Sequence, residues 1–281
     1  MKYLISGGNG QLAQAFIRAF ERMTIDFIAP DKARLDITKS DDVAEAVANY
    51  KPKVILNCAA YNLVDKAELD HERAFAVNSL GPKYLALAAS RHKSVLVHFG
   101  SDYVFDGKKE TGLYTEEDQV NPLNQYGKSK LSGEEQVREH CPEYLILRSS
   151  WVYGEGKQNF IHKLREWAST QDFLKVASDE FSVPTCTNVL VAMTLRSLET
   201  GVRGLWNLTN SGYCSRYEWA TVIADSAGLK NFIRPVSMND FHLPARRPKF
   251  SAMSNSAIST ALNASIPSWK ESVELFLREK A

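Results

Sequence analysis

Over residues 2–13 the chain reads KYLISGGNGQLA, where an apolar run passes directly into a glycine-rich turn and then into a helical pattern. The apolar run predicts a buried strand, and the residues after the turn predict an amphipathic helix. Gly7 allows a tight turn, and Gly10 lets the backbone approach a ligand closely. Because a helix start offers unpaired N–H groups and partial positive charge, this junction is predicted to bind a pyrophosphate.

The small residues of this turn are spaced Gly-x-x-Gly-x-x-Ala, with Ala13 in the last position. Gly-x-x-Gly-x-x-Gly is typical of short-chain dehydrogenases, and alanine is still small enough for the helix to pack on the sheet. About 20 residues further on, Asp31 is a candidate for binding the hydroxyls of an adenosine ribose. Lys32 would attract a 2′-phosphate that Asp31 would repel, so the sequence leaves both NADH and NADPH open as cofactors.

Outward from this motif, β-rich runs alternate with helical patterns. The predicted strands are 2–6, 26–29, 54–59, 95–101 and 144–150. The predicted helices are 11–21, one opening at 40–42, 67–92 with a break near Gly81-Pro82, and 124–139. Strands that are apolar on both faces and alternate with helices indicate a parallel sheet covered on both sides. The fold class predicted is therefore α/β, a Rossmann-type doubly wound parallel sheet.

After residue 151 the alternation changes. Helices are predicted at 160–168, 189–198 and 217–227, strands at 174–177 and 204–208, and a turn-like stretch at 181–187. No internal repeat or low-complexity linker separates the two halves. We therefore predict an NAD(P)-binding domain over 1–150, completed by parts of 185–210, and a smaller, interleaved substrate domain that takes most of 151–281.

The composition excludes several classes of partner. The 281 residues include 34 Lys and Arg against 33 Asp and Glu, a net charge of +1, which indicates neither a nucleic-acid partner nor a membrane surface. No stretch approaches the roughly 18 unbroken apolar residues of a membrane helix, and the start has no cleavage site of a signal peptide. The four cysteines are far apart and are predicted to be free thiols in a reducing cytosol, so a cytoplasmic location is expected.

A candidate catalytic pair opens the helix predicted at 124–139. Tyr126 and Lys130 are four residues apart and share one helical face. A nearby ammonium would lower the pKa of the Tyr126 phenol and make it a better proton donor. Ser101 closes the preceding strand, at the edge where ligands bind in open α/β sheets, and can hydrogen-bond a substrate carbonyl. The order of glycine turn, acid, serine and Tyr-x-x-x-Lys predicts a ketone reductase.

Longer strings of residues carry a family resemblance. They are GQL at 10–12, LDIT at 35–38, NCAAYNLVDKAE at 57–68, SDYVFDG at 101–107, YGKSKLSGE at 126–134, LRSSWVYG at 147–154 and ARRP at 245–248. With these strings the chain resembles the dTDP-4-dehydrorhamnose reductases, a family of extended short-chain dehydrogenases/reductases, over nearly its whole length.

The resemblance assigns roles to particular residues. Together with the motifs above, it implies cofactor contacts at Gly7, Gly10, Gln11, Leu12, Asp31, Lys32, Asp36, Ile37, Ala59, Ala60, Tyr61, Asn62, Tyr126 and Lys130. On the substrate side it implies that Ser101 and Asp102 meet the sugar and that Trp151 stacks on it, as a flat ring suits the C–H face of a hexose. Arg247 is expected at the diphosphate.

The resemblance implies NADPH- or NADH-dependent reduction of the C4 ketone of dTDP-4-dehydro-L-rhamnose to dTDP-L-rhamnose, for cell-surface polysaccharide. Two alternatives stay open: a sibling nucleotide-linked 4-keto-6-deoxy sugar, giving for example 6-deoxytalose, and a non-catalytic regulatory subunit similar to the methionine adenosyltransferase beta subunit. No metal site is predicted, although some relatives dimerise with a divalent ion, so Mg²⁺ and a monomer or homodimer both stay open. The expected small-molecule partner is a nucleotide sugar.

The chain also departs from the family pattern. Ser101 stands where threonine is usual, Ala13 where glycine is usual and Asn62 where threonine is common. In the stretch 179–185, the family has Asp-Gln-x-Gly-x-Pro-Thr, and this chain has Glu180 for the glutamine and Ser182 for the glycine. This last change lies in the substrate half, so it bears on which sugar is bound more than on the hydride chemistry.

Overall fold

The computed structural model describes residues 1–279 of the chain. Its strands are β1 Tyr3–Ser6, β2 Phe27–Ile28, β3 Val54–Asn57, β4 Val95–Ser101, β5 Tyr144–Ser149, β6 Val152–Tyr153, β7 Phe173–Ala177, β8 Phe181–Ser182, β9 Thr185–Cys186, β10 Gly204–Asn207, β11 Cys214–Ser215 and β12 Phe232–Val236. Its α-helices are α1 Gln11–Met23, α2 Ser40–Tyr50, α3 Val64–Ala67, α4 His71–Phe75, α5 Gly81–His92, α6 Gln125–His140, α7 Phe160–Thr170, α8 Thr187–Glu199, α9 Arg216–Ala227, α10 Ser256–Ala261 and α11 Trp269–Arg278.

Six strands form one parallel sheet in the order β10-β5-β4-β3-β1-β2. Every residue of β1 and β3 is buried, as expected for strands that helices cover on both faces. The order reverses between β1 and β3, and in open α/β sheets such a reversal leaves a crevice at the carboxyl ends of the strands. The predicted doubly wound α/β fold is confirmed.

Each face of the sheet has its own helical layer. On one face, buried side chains of α1, α8 and α10 pack together against the sheet. On the other face, the layer consists of α2, α5 and α6. Because β10, α8 and α10 all come from the second half of the chain, that half completes the sheet and one of its covers. The exact division of the chain into two domains stays a prediction.

A second core lies outside the main sheet. It is built from α7, α9, α11 and β7 around Trp219 and Tyr153, both fully buried. Here the strands pair only in twos: β7 with β12 and β6 with β9 in parallel, and β8 with β11 antiparallel. Such short pairs cannot stand alone, so the aromatic core holds this part together.

The region predicted as helical over 67–92, with a break near Gly81-Pro82, is divided more finely than expected. A gap separates α3 from α4, a wide turn of π-helix runs over Ala76–Leu80, and α5 begins at Gly81 with Pro82 in its first turn. Proline has no N–H to donate to the preceding turn, so it suits a place where the helical bonding changes. The π turn directs Asn78 toward Tyr61, whose N–H and C=O both bond the Asn78 side chain, at 2.8 and 3.1 Å.

Other differences are smaller. The stretch 181–187 was expected to be turn-like, whereas β8 and β9 flank Pro184 and α8 already begins at Thr187. The strand predicted at 26–29 pairs only over β2, at the edge of the sheet. The four cysteines are free thiols, as predicted. None of the helices in the described part of the chain combines the length and the apolar composition that a membrane crossing requires.

Candidate active site

The carboxyl ends of β1, β3, β4 and β5 open into one cavity of about 620 Å³. It brings together sixteen of the predicted site residues: Gly7, Gly10, Gln11, Leu12, Lys32, Asp36, Ile37, Ala59, Ala60, Tyr61, Asn62, Ser101, Asp102, Tyr126, Lys130 and Trp151. The cavity wall formed by residues 1–279 does not include Asp31 or Arg247. The glycine turn and the Tyr-x-x-x-Lys pair therefore belong to one site.

The glycine turn has the geometry that a bound pyrophosphate requires. Gly7 has φ +70°, and a Cβ there would lie 2.7 Å from the Ala59 Cα, so a larger residue cannot enter without displacing the segment that follows β3. The N–H of Gly10 donates to the Gly7 carbonyl at 2.8 Å, which closes the turn. At the start of α1 no side chain caps the N–H groups, and its first turn contains no acid. The turn thus fits a dinucleotide cofactor.

Gln11 joins this turn to the second half of the chain. Its side-chain oxygen accepts a hydrogen bond from Asn159 Nδ2 at 2.8 Å, and its nitrogen donates to the Val152 carbonyl at 3.4 Å. Asn159 also caps α7 by accepting from the His162 N–H. Sequence reasoning missed Asn159, because nothing near it in the chain indicates that it lies beside residue 11.

Asp31 is placed in a turn rather than on the cavity wall. Its carboxylate accepts a hydrogen bond from the Arg34 N–H at 3.1 Å. Lys32 does line the cavity, and its ammonium lies 3.8 Å from the Asp36 carboxylate. Arg73 of α4 is a further cation on the wall, which the sequence did not single out. The ribose contact assigned to Asp31 stays a prediction.

Tyr126 and Ser101 meet because the start of α6 packs on the turn that follows β4. Asn124 caps α6 by accepting from the Gly127 N–H at 2.7 Å. Gly127 lies against the Tyr103 carbonyl so closely that no Cβ fits between them. The Tyr126 ring contacts the Tyr103 ring edge-on, at a centroid distance of 5.7 Å. The phenol thereby lines the same cavity as the Ser101 hydroxyl.

Lys130 is buried one turn further along α6. Its ammonium donates to the Phe99 carbonyl at 2.5 Å. Behind it, Glu134 forms a buried ion pair with Arg148 of β5, with 2.8 Å between the nearest atoms. Gly100 leaves room for this carboxylate, since a Cβ at Gly100 would clash with it. The sequence showed the motif containing Glu134 but not its partner.

The pKa values differ from the expectation that Lys130 would lower the pKa of Tyr126. Burial raises the pKa of Tyr126 to about 12, and the charge of Asp102 acts in the same direction. The Ser101 hydroxyl lowers this pKa, but by less than burial raises it. Burial lowers the pKa of Lys130 to about 8, although the negative charge of Glu134 raises it. The expectation fails because desolvation dominates and the ammonium bonds Phe99. A phenol with this pKa is protonated at neutral pH, as a proton donor must be.

Asp102 follows Ser101 and is also buried. Its carboxylate accepts hydrogen bonds from Ser182 at 2.8 Å, Ser251 at 2.6 Å and Ser101 at 3.2 Å. Burial raises the pKa of Asp102 to about 6, although the three hydroxyls each lower it, and nearby Glu180 raises it further. The residue is therefore a carboxylate at neutral pH, with a charge that the serines stabilise.

Trp151 has a strained backbone, with φ +40°, which is unusual for any residue other than glycine. The Arg216 guanidinium lies 3.6 Å from the centre of its ring, and the Trp219 ring is nearly parallel to it at 5.6 Å. Glu180 pairs with Arg216 at 3.4 Å. These contacts fix the plane of the indole at the edge of the cavity. Arg216 was missed, because the sequence offers no signal that an arginine 65 positions away stacks on Trp151.

Arg247 lies outside the cavity wall. It forms a two-pronged ion pair with Asp65, at 3.0 and 2.8 Å, and this hydrogen bonding keeps the pKa of Asp65 below its usual value. The pair joins α3 to the segment around 245–248. Its predicted contact with the diphosphate stays a prediction. Within residues 1–279, no group of three or more His, Cys, Asp or Glu side chains is placed to hold a metal ion.

Comparison with known proteins agrees with this geometry. The family model described as the RmlD substrate binding domain matches residues 1–281. A spore coat polysaccharide biosynthesis protein of Bacillus subtilis (strain 168) is 34% identical over 280 residues, covering 100% of this chain and 98% of that protein.

Two solved structures of dTDP-4-dehydrorhamnose reductases are also similar. The one from Clostridium acetobutylicum ATCC 824 has a TM-score of 0.96 and 36% identity, and the match covers 100% of this chain and 99% of that one. The one from Bacillus anthracis str. Ames, in complex with NADP, has a TM-score of 0.95 and 33% identity and covers 99% of each chain. The chain belongs to the dTDP-4-dehydrorhamnose reductase family.

Proposed function

We propose that this protein reduces the C4 ketone of dTDP-4-dehydro-L-rhamnose to dTDP-L-rhamnose with NADPH or NADH. The proposal is supported by the names of its relatives and by the NADP complex of the Bacillus anthracis reductase. The relative that acts in spore coat polysaccharide biosynthesis supports a role in cell-surface polysaccharide. We further propose that the protein works in the cytoplasm, where nucleotide sugars are made, as a monomer or homodimer.

One observation carries the proposal: the phenol of Tyr126, the hydroxyl of Ser101 and the glycine turn line the same cavity. A ketone held at Ser101 is therefore within reach of both a proton donor and a dinucleotide bound at Gly7 and Gly10. When bound, the nicotinamide supplies hydride to C4 of the sugar. The shape of the glycine turn and the uncapped start of α1 fit such a cofactor.

The residues of the chain supply orientation and the proton. Ser101 holds the C4 oxygen, and Tyr126 transfers its phenolic proton to that oxygen as negative charge develops there. An alkoxide is a stronger base than a phenolate, so the transfer is favourable even with the raised pKa of Tyr126. Lys130, whose ammonium donates to the Phe99 carbonyl, lines the same cavity and would bind the cofactor there.

The sugar and its diphosphate are held by the second half of the chain together with Asp102. The carboxylate of Asp102 accepts a sugar hydroxyl, and the indole of Trp151 packs on a C–H face of the ring. Arg247 would reach the diphosphate by exchanging Asp65 for a phosphate, which its planar guanidinium can bind through two oxygens.

The test is to mix the purified chain anaerobically with the 4-keto sugar nucleotide and either reduced cofactor, and to identify the product by NMR. We expect the L-rhamno configuration at C4. The C4 epimer, a 6-deoxytalose product, would instead assign a sibling reductase that delivers hydride to the opposite face of the same ketone, for which the Glu180 and Ser182 departures leave room. Absence of hydride transfer with both cofactors would contradict the proposal and favour a regulatory subunit.

A further inference from the structure

The carboxylate of Asp102 is held by hydroxyls from three separate parts of the chain. Ser101 belongs to β4, Ser182 to β8, and Ser251 follows the ARRP segment. Ser182 and Ser251 both donate to Oδ2, at 2.8 and 2.6 Å, whereas Ser101 donates to Oδ1 at 3.2 Å. Ser182 is also the residue that stands where the family pattern has glycine, so its hydroxyl is absent from that pattern.

Counting donors and acceptors shows what this arrangement can do. A carboxylate offers about four acceptor positions, two on each oxygen. Two serines fill Oδ2 of Asp102, and Ser101 fills one position of Oδ1. A serine hydroxyl has only one proton, so Ser101 cannot donate to Asp102 and to a substrate ketone at the same time. Binding of the ketone therefore requires Ser101 to leave Asp102.

We propose that Ser182 and Ser251 are positioning residues that keep Asp102 ionised and oriented while Ser101 turns to the ketone. The inference rests on the function proposed above. With Oδ2 held by two serines, Oδ1 faces the sugar and accepts the hydroxyl on a carbon next to C4. The two serines thus determine whether a sugar that carries this hydroxyl is bound well, which makes position 182 a determinant of substrate specificity.

The groups around Asp102 do not stabilise its negative charge, so the serine hydroxyls are needed to keep it ionised. Its ionisable neighbours Glu180, Tyr103 and Tyr126 are all acidic, and none of them stabilises a negative charge. Arg216 is engaged with Glu180. The serine hydroxyls lower the pKa of Asp102, so removing one raises it. If the ionised form binds the sugar, kcat/KM falls as the pH falls through this pKa, and loss of a serine moves that fall to higher pH.

The experiment compares pH profiles of kcat/KM for the sugar nucleotide in the wild type and in the variants Ser182→Gly and Ser251→Ala. We expect the acid-side pKa to rise by about one unit in each variant. Activity at the alkaline end would stay near that of the wild type, and activity at the acid end would fall by about tenfold, mainly through KM. Ser182→Thr keeps a hydroxyl and should restore the profile.

Ser94→Ala is the matched control. Ser94 is equally buried and donates to the Pro52 carbonyl at 2.7 Å, at the other end of the sheet, so its loss should leave the profile unchanged. A profile that does not shift in either variant, or an equal loss at every pH, would overturn the inference. If Ser182→Gly does not fold, the pH profile of Ser251→Ala alone tests the inference, because Ser251 donates to the same oxygen of Asp102 as Ser182. A wild type that transfers no hydride would overturn the proposed function instead.

Discussion

The two ends of the cavity are held in place by different kinds of contact. At the cofactor end, the turn is closed by backbone atoms three residues apart, from the Gly10 N–H to the Gly7 carbonyl. At the sugar end, Asp102 is held by side chains 80 and 149 positions away. The first end is therefore determined by local sequence, and the second depends on the whole fold. Substitutions at the two ends should consequently affect different quantities.

The largest effect is expected at the junction of the two ends. Tyr126→Phe removes the proton donor but keeps the ring that packs on Tyr103. We expect kcat to fall by about 100-fold to 10,000-fold, with cofactor affinity nearly unchanged. Steady-state kinetics and a fluorescence titration with reduced cofactor measure the two quantities. Unchanged turnover would remove Tyr126 from the mechanism.

The next effect concerns the scaffold behind Lys130. Glu134→Gln leaves the buried Arg148 without an ionised partner, so the free energy of unfolding should fall by about 3–5 kcal/mol. Urea denaturation gives this value. The control is Glu143→Gln, which breaks the exposed pair with Arg203 and should cost about 1 kcal/mol or less. Equal losses in the two variants would show that burial of the first pair is unimportant.

A smaller effect isolates the cofactor end. In Gly7→Ala, the new Cβ would lie 2.7 Å from the Ala59 Cα, and the alanine would have to adopt a left-handed backbone conformation. We therefore expect cofactor binding to weaken by about 1–3 kcal/mol. The affinity is measured by titration with NADPH. Gly201→Ala has nearly the same φ, +74° against +70°, but meets no atom within 4 Å. This control should lose a little stability and no cofactor affinity. Weakened cofactor binding in Gly201→Ala would refute the explanation that the contact with Ala59 causes the loss in Gly7→Ala.

The smallest effect isolates the sugar end. Trp151→Ala removes the ring that we place against the sugar, so KM for the sugar nucleotide should rise by about threefold to tenfold, with cofactor affinity unchanged. Trp206→Ala, on the distant edge strand β10, serves as the control for losing a tryptophan. A change in cofactor affinity without a change in KM would mean that Trp151 belongs to the other end of the cavity.

The contrast between the two ends also explains how much the sequence could predict. The glycine turn, the alternation of strands and helices and the Tyr126–Lys130 pair follow from local patterns, and the structure brings the turn and the pair into one cavity. Arg216 and Asn159 could not be found, because their partners lie 65 and 148 positions away. A local sequence pattern does not indicate contacts between residues so far apart in the chain.

Two kinds of expectation went beyond what a pattern can determine. The predicted lowering of the Tyr126 pKa by Lys130 was wrong, since a motif shows which groups are near but not how much water they lose. Asp31 and Arg247 were assigned ligands, yet in the structure Asp31 accepts from the backbone N–H of Arg34, and Arg247 pairs with Asp65. The guanidinium of Arg247, held by both oxygens of Asp65, must exchange this partner before it can bind a diphosphate, and sequence alone does not show the partner.

The most direct test of the account is isotope transfer in a single turnover. Cofactor that carries deuterium at the transferable position of nicotinamide C4 would be mixed with the sugar nucleotide and with either wild type or Tyr126→Phe. We predict deuterium at C4 of the sugar with the wild type, at a rate at least about 100-fold higher than with the variant. A product without deuterium at C4, or equal rates for the two proteins, would contradict the claim that hydride and the Tyr126 proton reach the same carbonyl.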